Sequence, residues 1–161
     1  MYCKRTAVYV AGGKLEVYFP LFVDISEKKI LVVGAGKIAA RRIAALQMFT
    51  EQIFVVAPDV CPAIEKLEKE GKVILSRREF RESDLEEKEI VLAATNNPEV
   101  NFYIWKACKK RGILVNVSDR KELCDFYFPS IVKKEEIIIG INSSGASPGK
   151  VKEIRKKIEK L

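Results

Sequence analysis

Apolar positions along this chain follow two rhythms that alternate between about residue 29 and residue 117. Short runs rich in Val, Ile and Leu occur at 29–33, 52–57, 72–76, 89–94 and 113–117. Their length and unbroken apolar character predict strands covered on both faces. Between the first two, residues 37–48 repeat apolar side chains at helical spacing and put Arg41 and Arg42 on the opposite face. Pro62 and Gly71 bracket a second helix over 63–70, and Pro98 and Gly112 bracket a third that runs to about Lys110. This alternation predicts βαβ units, hence an α/β protein with a Rossmann-type, doubly wound parallel sheet.

The rhythm changes after Asp119. Residues 126–134 and 135–142 predict two strands joined by a tight polar turn, followed by Ser143-Ser-Gly-Ala-Ser-Pro-Gly and a basic helix from about 149 to 160. A two-stranded ribbon with one helix buries little apolar surface alone, so this appendage is expected to pack against another subunit. Near the start, residues 7–10 and 15–19 flank Ala-Gly-Gly-Lys, a pattern that fits either a small hairpin or a partly disordered leader. The expected division is therefore 1–17 leader or hairpin, 18–122 Rossmann domain, and 123–161 dimerisation appendage.

A chain of 161 residues, 48% of them hydrophobic, fills one core and a small appendage. No apolar run approaches the ~20 residues that span a bilayer, and Met1-Tyr-Cys-Lys-Arg is not followed by a signal-peptide core. A cytoplasmic protein without a membrane partner is expected. Cys3, Cys61, Cys108 and Cys124 lie far apart with no C-x-x-C pair, which predicts reduced structural thiols and no metal cluster. The chain has no histidine, which excludes Ser-His and Cys-His nucleophile pairs and leaves proton transfer to Asp, Glu, Lys, Tyr or Cys. A net charge of +7 favours an anionic partner without choosing among nucleic acid, a membrane surface and a polyanionic small molecule.

Gly34-x-Gly36-x-x-Ala39 directly follows the first predicted strand and opens the first predicted helix, the context in which a glycine pattern of this kind acquires a physical meaning. Gly34 permits a tight turn, Gly36 lets the backbone approach a pyrophosphate, and Ala39 allows close helix packing, while the helix N-terminus offers N–H groups to phosphates. An acidic residue about 20 positions further on is expected to bind the ribose hydroxyls of NAD. Asp59 stands two residues beyond the expected end of the second strand and reads equally well as that ribose ligand or as a helix N-cap. Thr95 and Asn96, at the end of the fourth strand, belong near the cofactor or cap the following helix.

Several segments together resemble one family. They are Tyr18-Phe-Pro-Leu-Phe, Val33-Gly-Ala-Gly-Lys-Ile-Ala-x-Arg-Arg, Val55-Val-Ala-Pro-Asp, Ala93-Ala-Thr-Asn, Asn116-Val-Ser-Asp, Phe128-Pro-Ser-Ile and Ile141-Asn-Ser-Ser-Gly-Ala-Ser-Pro. Their order and spacing, from about residue 18 to residue 148, are similar to precorrin-2 dehydrogenase, the NAD-dependent part of siroheme synthases. The resemblance implies oxidation of precorrin-2 to sirohydrochlorin with NAD as hydride acceptor, accompanied in some relatives by iron insertion. It implies a homodimer that exchanges its ribbon, and a tetrapyrrole carrying many carboxylates as the partner of the basic chain, rather than nucleic acid. By position it makes Lys37, Ile38, Pro58 and Asp59 cofactor contacts, Asp119 the catalytic carboxylate, and Ser144 a neighbour of the tetrapyrrole. Many relatives continue through further helices or into a methyltransferase domain, so methylation is not expected here and part of the usual substrate cover is expected to be missing.

Asp119 closes the fifth predicted strand on the cofactor side and reads either as a general base or as a turn cap. Arg120 beside it is a candidate clamp for substrate carboxylates. The alternative class is a non-catalytic NAD-sensing module, which would need the glycine loop but neither Asp119 nor the Ser-Ser-Gly turn.

Overall fold

The alternating apolar runs form the five parallel strands of one sheet. The computed structural model describes residues 18–160 together with the backbones of Val8–Val10 and Gly13–Leu15. Those two N-terminal segments, β1 and β2, pair antiparallel with Val8 opposite Leu15, so a hairpin pairing is formed there. The remaining strands are β3 (Ile30–Ala35), β4 (Ile53–Val60), β5 (Ile74–Ser76), β6 (Ile90–Ala93), β7 (Leu114–Val117), β8 (Ser130–Lys134) and β9 (Ile137–Ile141). The helices are α1 (Lys37–Leu46), α2 (Pro62–Lys69), α3 (Pro98–Arg111) and α4 (Pro148–Ile158). The chain forms two compact units, one spanning Asp24–Phe126 and the other built from the chain before and after it.

In the first unit the strands lie in the order β5-β4-β3-β6-β7, all parallel. The chain starts in the middle at β3, moves outward through β4 and β5, then crosses back to β6 on the other side. That reversal between β3 and β6 opens a crevice at the carboxyl ends of the strands. Leu31, Val33, Val56, Val91, Ala93, Val115 and Val117 pack with Ile104, Ala107 and Cys108 of α3 on one face. The alternate positions Ile30, Val32, Ile53 and Val55 are equally buried, as are Ala39 and Ile43 of α1 and Ile64 of α2. Burial on both faces is why these strands read as continuous apolar runs. Arg42, expected on the solvent side of α1, is instead half-buried, and this burial lowers the pKa of its guanidinium.

β7 is an edge strand, and the segment that follows it satisfies that edge. Asp125 accepts from Val115 N at 3.0 Å and its own N–H donates to Val115 O at 2.9 Å. The Cys124 thiol meets both Val117 N and Val117 O at 3.2 Å, and Asn116 Nδ2 donates to Phe126 O at 2.7 Å. A sheet edge left bare would expose unpaired backbone groups. Through these contacts the sheet unit extends to Phe126, beyond the boundary expected after residue 122.

The second unit holds the ribbon β8–β9, paired antiparallel with Ser130 opposite Ile141 and turning at Glu135 and Glu136. Its first strand begins only at Ser130, after Pro129, because proline cannot donate to a ladder. Helix α4 packs on β8, and Tyr18 and Tyr127 join through their hydroxyls at 2.7 Å. Among the described residues of this unit Val132 is the single buried apolar side chain.

Candidate active site

Strand β3 ends in Gly34 with φ +102°, a conformation that L side chains rarely adopt. A Cβ on Gly34 would also stand 2.6 Å from the carbonyl carbon of Ala94 and 2.9 Å from Thr95 N, so β3 and β6 approach too closely for any side chain. Gly36 is different. It is the N-cap of α1 with φ −86°, and a Cβ there would meet no protein atom within 4 Å. Nothing in the chain's own packing demands glycine at 36. Open space beside a helix N-terminus is what a pyrophosphate bound to backbone N–H groups requires. The residues present therefore fit a dinucleotide.

A cleft of about 730 Å³ lies above these turns, at the carboxyl ends of β3, β4 and β6. Gly34, Gly36, Lys37, Ile38, Pro58, Asp59, Thr95 and Asn96 all line it. Ile38 is an exposed apolar residue in the first turn of α1, placed on the wall of the cleft. The structure corrects two expectations about caps. β4 continues to Val60, so Asp59 lies inside the strand, and the N-cap of α2 is Cys61, which makes no side-chain cap. The extension follows from Cys61 N donating to Ala35 O at 3.0 Å and from the register shift that pairs Ala35 with Val60. Neither Thr95 nor Asn96 caps α3; Asn97 does, accepting from Glu99 N at 2.9 Å and Val100 N at 3.3 Å.

The cleft has a further wall that the sequence pattern did not single out. Phe80 and Tyr103 meet edge to face with centroids 6.2 Å apart, and the Tyr103 hydroxyl donates to Glu82 at 2.9 Å. Both rings line the cleft. Phe80 sits in the charged stretch Arg77-Arg-Glu-Phe-Arg, where no periodicity marks it as part of a site.

Asp119 follows β7 and is solvent-exposed. It caps no helix: the N-cap of the turn at Lys121–Leu123 is Arg120. Instead Asp119 Oδ1 accepts from Asn101 Nδ2 at 2.8 Å. Arg120 lies over the ring of Phe102, 5.5 Å from its centroid, and Phe102 stacks on Trp105 at 5.3 Å. Successive residues of α3 thus hold successive residues after β7. Asn101 was not foreseen, although a polar residue in the stripe Asn101, Ile104, Ala107, Cys108 is the signal that pointed to it. Ser144 belongs to the other compact unit, where it has φ +54° and donates from its backbone N to Asn142 Oδ1 at 2.9 Å.

A parallel sheet with this strand order, a glycine turn pressed against the neighbouring strand and an acid on the rim of the crevice define a dinucleotide-binding protein of the Rossmann class. Residues 21–130 match a family model described as putative NAD(P)-binding, and the chain belongs to that family. It is 42% identical over 144 residues to the siroheme synthase of Pseudoalteromonas atlantica, covering 89% of this chain and 31% of that protein. The siroheme synthase of Zymomonas mobilis is 38% identical over the same length, again with 89% of this chain and 31% of the relative covered. The chain thus spans about a third of the length of the curated relatives it matches. The solved structure of SirC, precorrin-2 dehydrogenase, superposes with a TM-score of 0.80 at 29% identity, covering 89% of this chain and 70% of that one. These likenesses agree with the resemblance carried by the motifs.

Proposed function

We propose that this chain is an NAD-dependent dehydrogenase that oxidises precorrin-2 to sirohydrochlorin, with Asp119 as its general base. The observation that carries the reading is the Asp119 carboxylate, held by Asn101 at the end of β7, whose neighbour β6 ends at the cleft-lining Thr95 and Asn96. In a chain without histidine a carboxylate is the best suited proton acceptor, and Asp119, though not itself a lining residue of the cleft, is tied through Asn101 to Thr95, which is one. The likeness to SirC and to siroheme synthases supports the choice of substrate.

NAD held in the cleft would supply an acceptor for the hydride of the substrate carbon. Asp119 takes the accompanying proton on the oxygen that Asn101 leaves free. Gly36 and the first turn of α1 hold the pyrophosphate, and Asp59 binds the ribose hydroxyls and repels a 2′-phosphate, which favours NAD over NADP. Arg120, steadied on Phe102, pairs with a substrate carboxylate. Ser144 contacts the tetrapyrrole, and iron insertion into the product belongs to the same proposal as a second activity.

The test mixes the protein with precorrin-2 and NAD and follows sirohydrochlorin and NADH by absorbance. Asp119→Asn is expected to fold, to bind NADH as the wild type does, and to turn over roughly a hundredfold or more slowly, the usual scale for losing acid–base catalysis. Near wild-type turnover in that variant would end the assignment of Asp119. Equal affinity for NADP and NAD in a fluorescence titration would remove the role given to Asp59.

A further inference from the structure

We propose that Asn101 is a positioning residue that orients Asp119 and couples it to the cofactor cleft through Thr95. This rests on the reading of Asp119 as the base. Asn101 lies in the first turns of α3 and is 1% exposed. Its stripe neighbours Ile104, Ala107 and Cys108 are apolar and equally buried, so packing alone would be served by a leucine. A buried amide costs free energy unless its hydrogen bonds are made.

Those bonds are made, and all of them go to two residues. Oδ1 accepts from Thr95 N at 3.1 Å and lies 2.7 Å from the Thr95 hydroxyl. Nδ2 donates to Thr95 O at 3.2 Å and to Asp119 Oδ1 at 2.8 Å. Both donors and both acceptor sites of the amide are thereby used. Capping does not explain them, because Asn97 already caps α3. The side chain instead bridges the loop after β6, which lines the cofactor cleft, to the loop after β7, which carries the carboxylate. Asp119 Oδ2 has no hydrogen-bond partner among the described residues. One oxygen of the carboxylate is anchored and the other is left for a proton, in an orientation fixed from the cofactor side.

The amide can be divided by mutation. Asn101→Asp keeps an oxygen facing Thr95 N and replaces the amide nitrogen, which faces both Asp119 and Thr95 O, with a second oxygen. Its turnover per folded molecule is expected to fall tenfold or more, while NADH affinity stays within threefold of wild type. In the Asp119→Asn background the same substitution exchanges donor and acceptor, and turnover is expected to remain within threefold of Asp119→Asn alone. Asn101→Ser, smaller and neutral, carries the same expectations if Asn101→Asp does not fold. A multiplicative loss in the double variant would show that Asn101 acts independently of Asp119 and would overturn the proposal, as would a single variant within threefold of wild type. If Asp119→Asn alone keeps near wild-type turnover, it is the assignment of the base that fails, which separates the two claims.

Discussion

Two glycines of one motif have opposite reasons for being glycine. Gly34 is required by the fold, because its φ of +102° and the Ala94 carbonyl leave no place for a Cβ. Gly36 has an ordinary φ and open space, so its requirement arises only when a ligand arrives. Gly34→Ala is therefore expected to destabilise the protein by about 2 kcal/mol or more, read in urea unfolding. Gly36→Ala should unfold as the wild type does yet lose tenfold or more in NADH affinity by fluorescence titration. An alanine at 36 that binds NADH normally would show that the pyrophosphate lies elsewhere. The motif was plain in the sequence; the division of labour within it was not, since it depends on which strand lies beside each glycine. The buried thiol of Cys108 agrees with the structural role expected for the cysteines. Burial, with Asp125 nearby, pushes Cys108 up to about 12, so it stays a protonated core residue.

Among the elements, the crossover from β5 to β6 departs most from helix-covered alternation. Where α3 covers the β6–β7 side, the crossover at residues 77–89 has only the short turn Glu82–Leu85, with Leu85 as its buried anchor. A charged clamp holds this turn. Arg78 donates to both oxygens of Asp84, at 2.8 and 2.6 Å, and Arg81 N donates to Asp84 Oδ2 at 2.8 Å. The Arg78 guanidinium thereby holds the Asp84 carboxyl below its ordinary value of 3.8. A carboxylate with a depressed folded pKa stabilises fully above the ordinary value, and that contribution is lost as pH falls through the lower, folded one. Asp84→Asn should therefore cost about 1 kcal/mol at pH 7, the scale of a well-formed but partly solvated pair. The difference from wild type should shrink below pH 3.8 as the wild-type carboxyl takes up its proton. Urea unfolding at several pH values checks this, and a difference independent of pH would assign the cost to packing.

For the molecule as a whole, the contrast between its two compact units bears on assembly. The sheet unit has a closed apolar core, whereas the ribbon unit buries one apolar side chain among its described residues and leaves others bare. Phe19 is 86% exposed, Leu21 and Phe22 are 73% exposed, and Ile137 is 62% exposed. A ribbon and a helix with so little interior need a partner surface, and the proposed partner is a second copy of the chain. Light scattering at micromolar concentration is expected to give twice the chain mass of 18.2 kDa. A folded monomer at that concentration would refute the dimer.

Local pattern sufficed for the βαβ order, the glycine turn and the carboxylate after β7, because apolar period, glycine placement and chain order are properties of neighbours in sequence. Asp59 shows where that reach ended: strand or cap depended on a backbone bond from Cys61 to Ala35, about 25 residues away in the chain. The Asn101 bridge from Thr95 to Asp119, the aromatic wall of Phe80 and Tyr103, and the covering of the β7 edge by Cys124 and Asp125 likewise arose only on folding. Each joins groups on different elements, and such contacts exist only once the sheet has set which strand ends lie side by side.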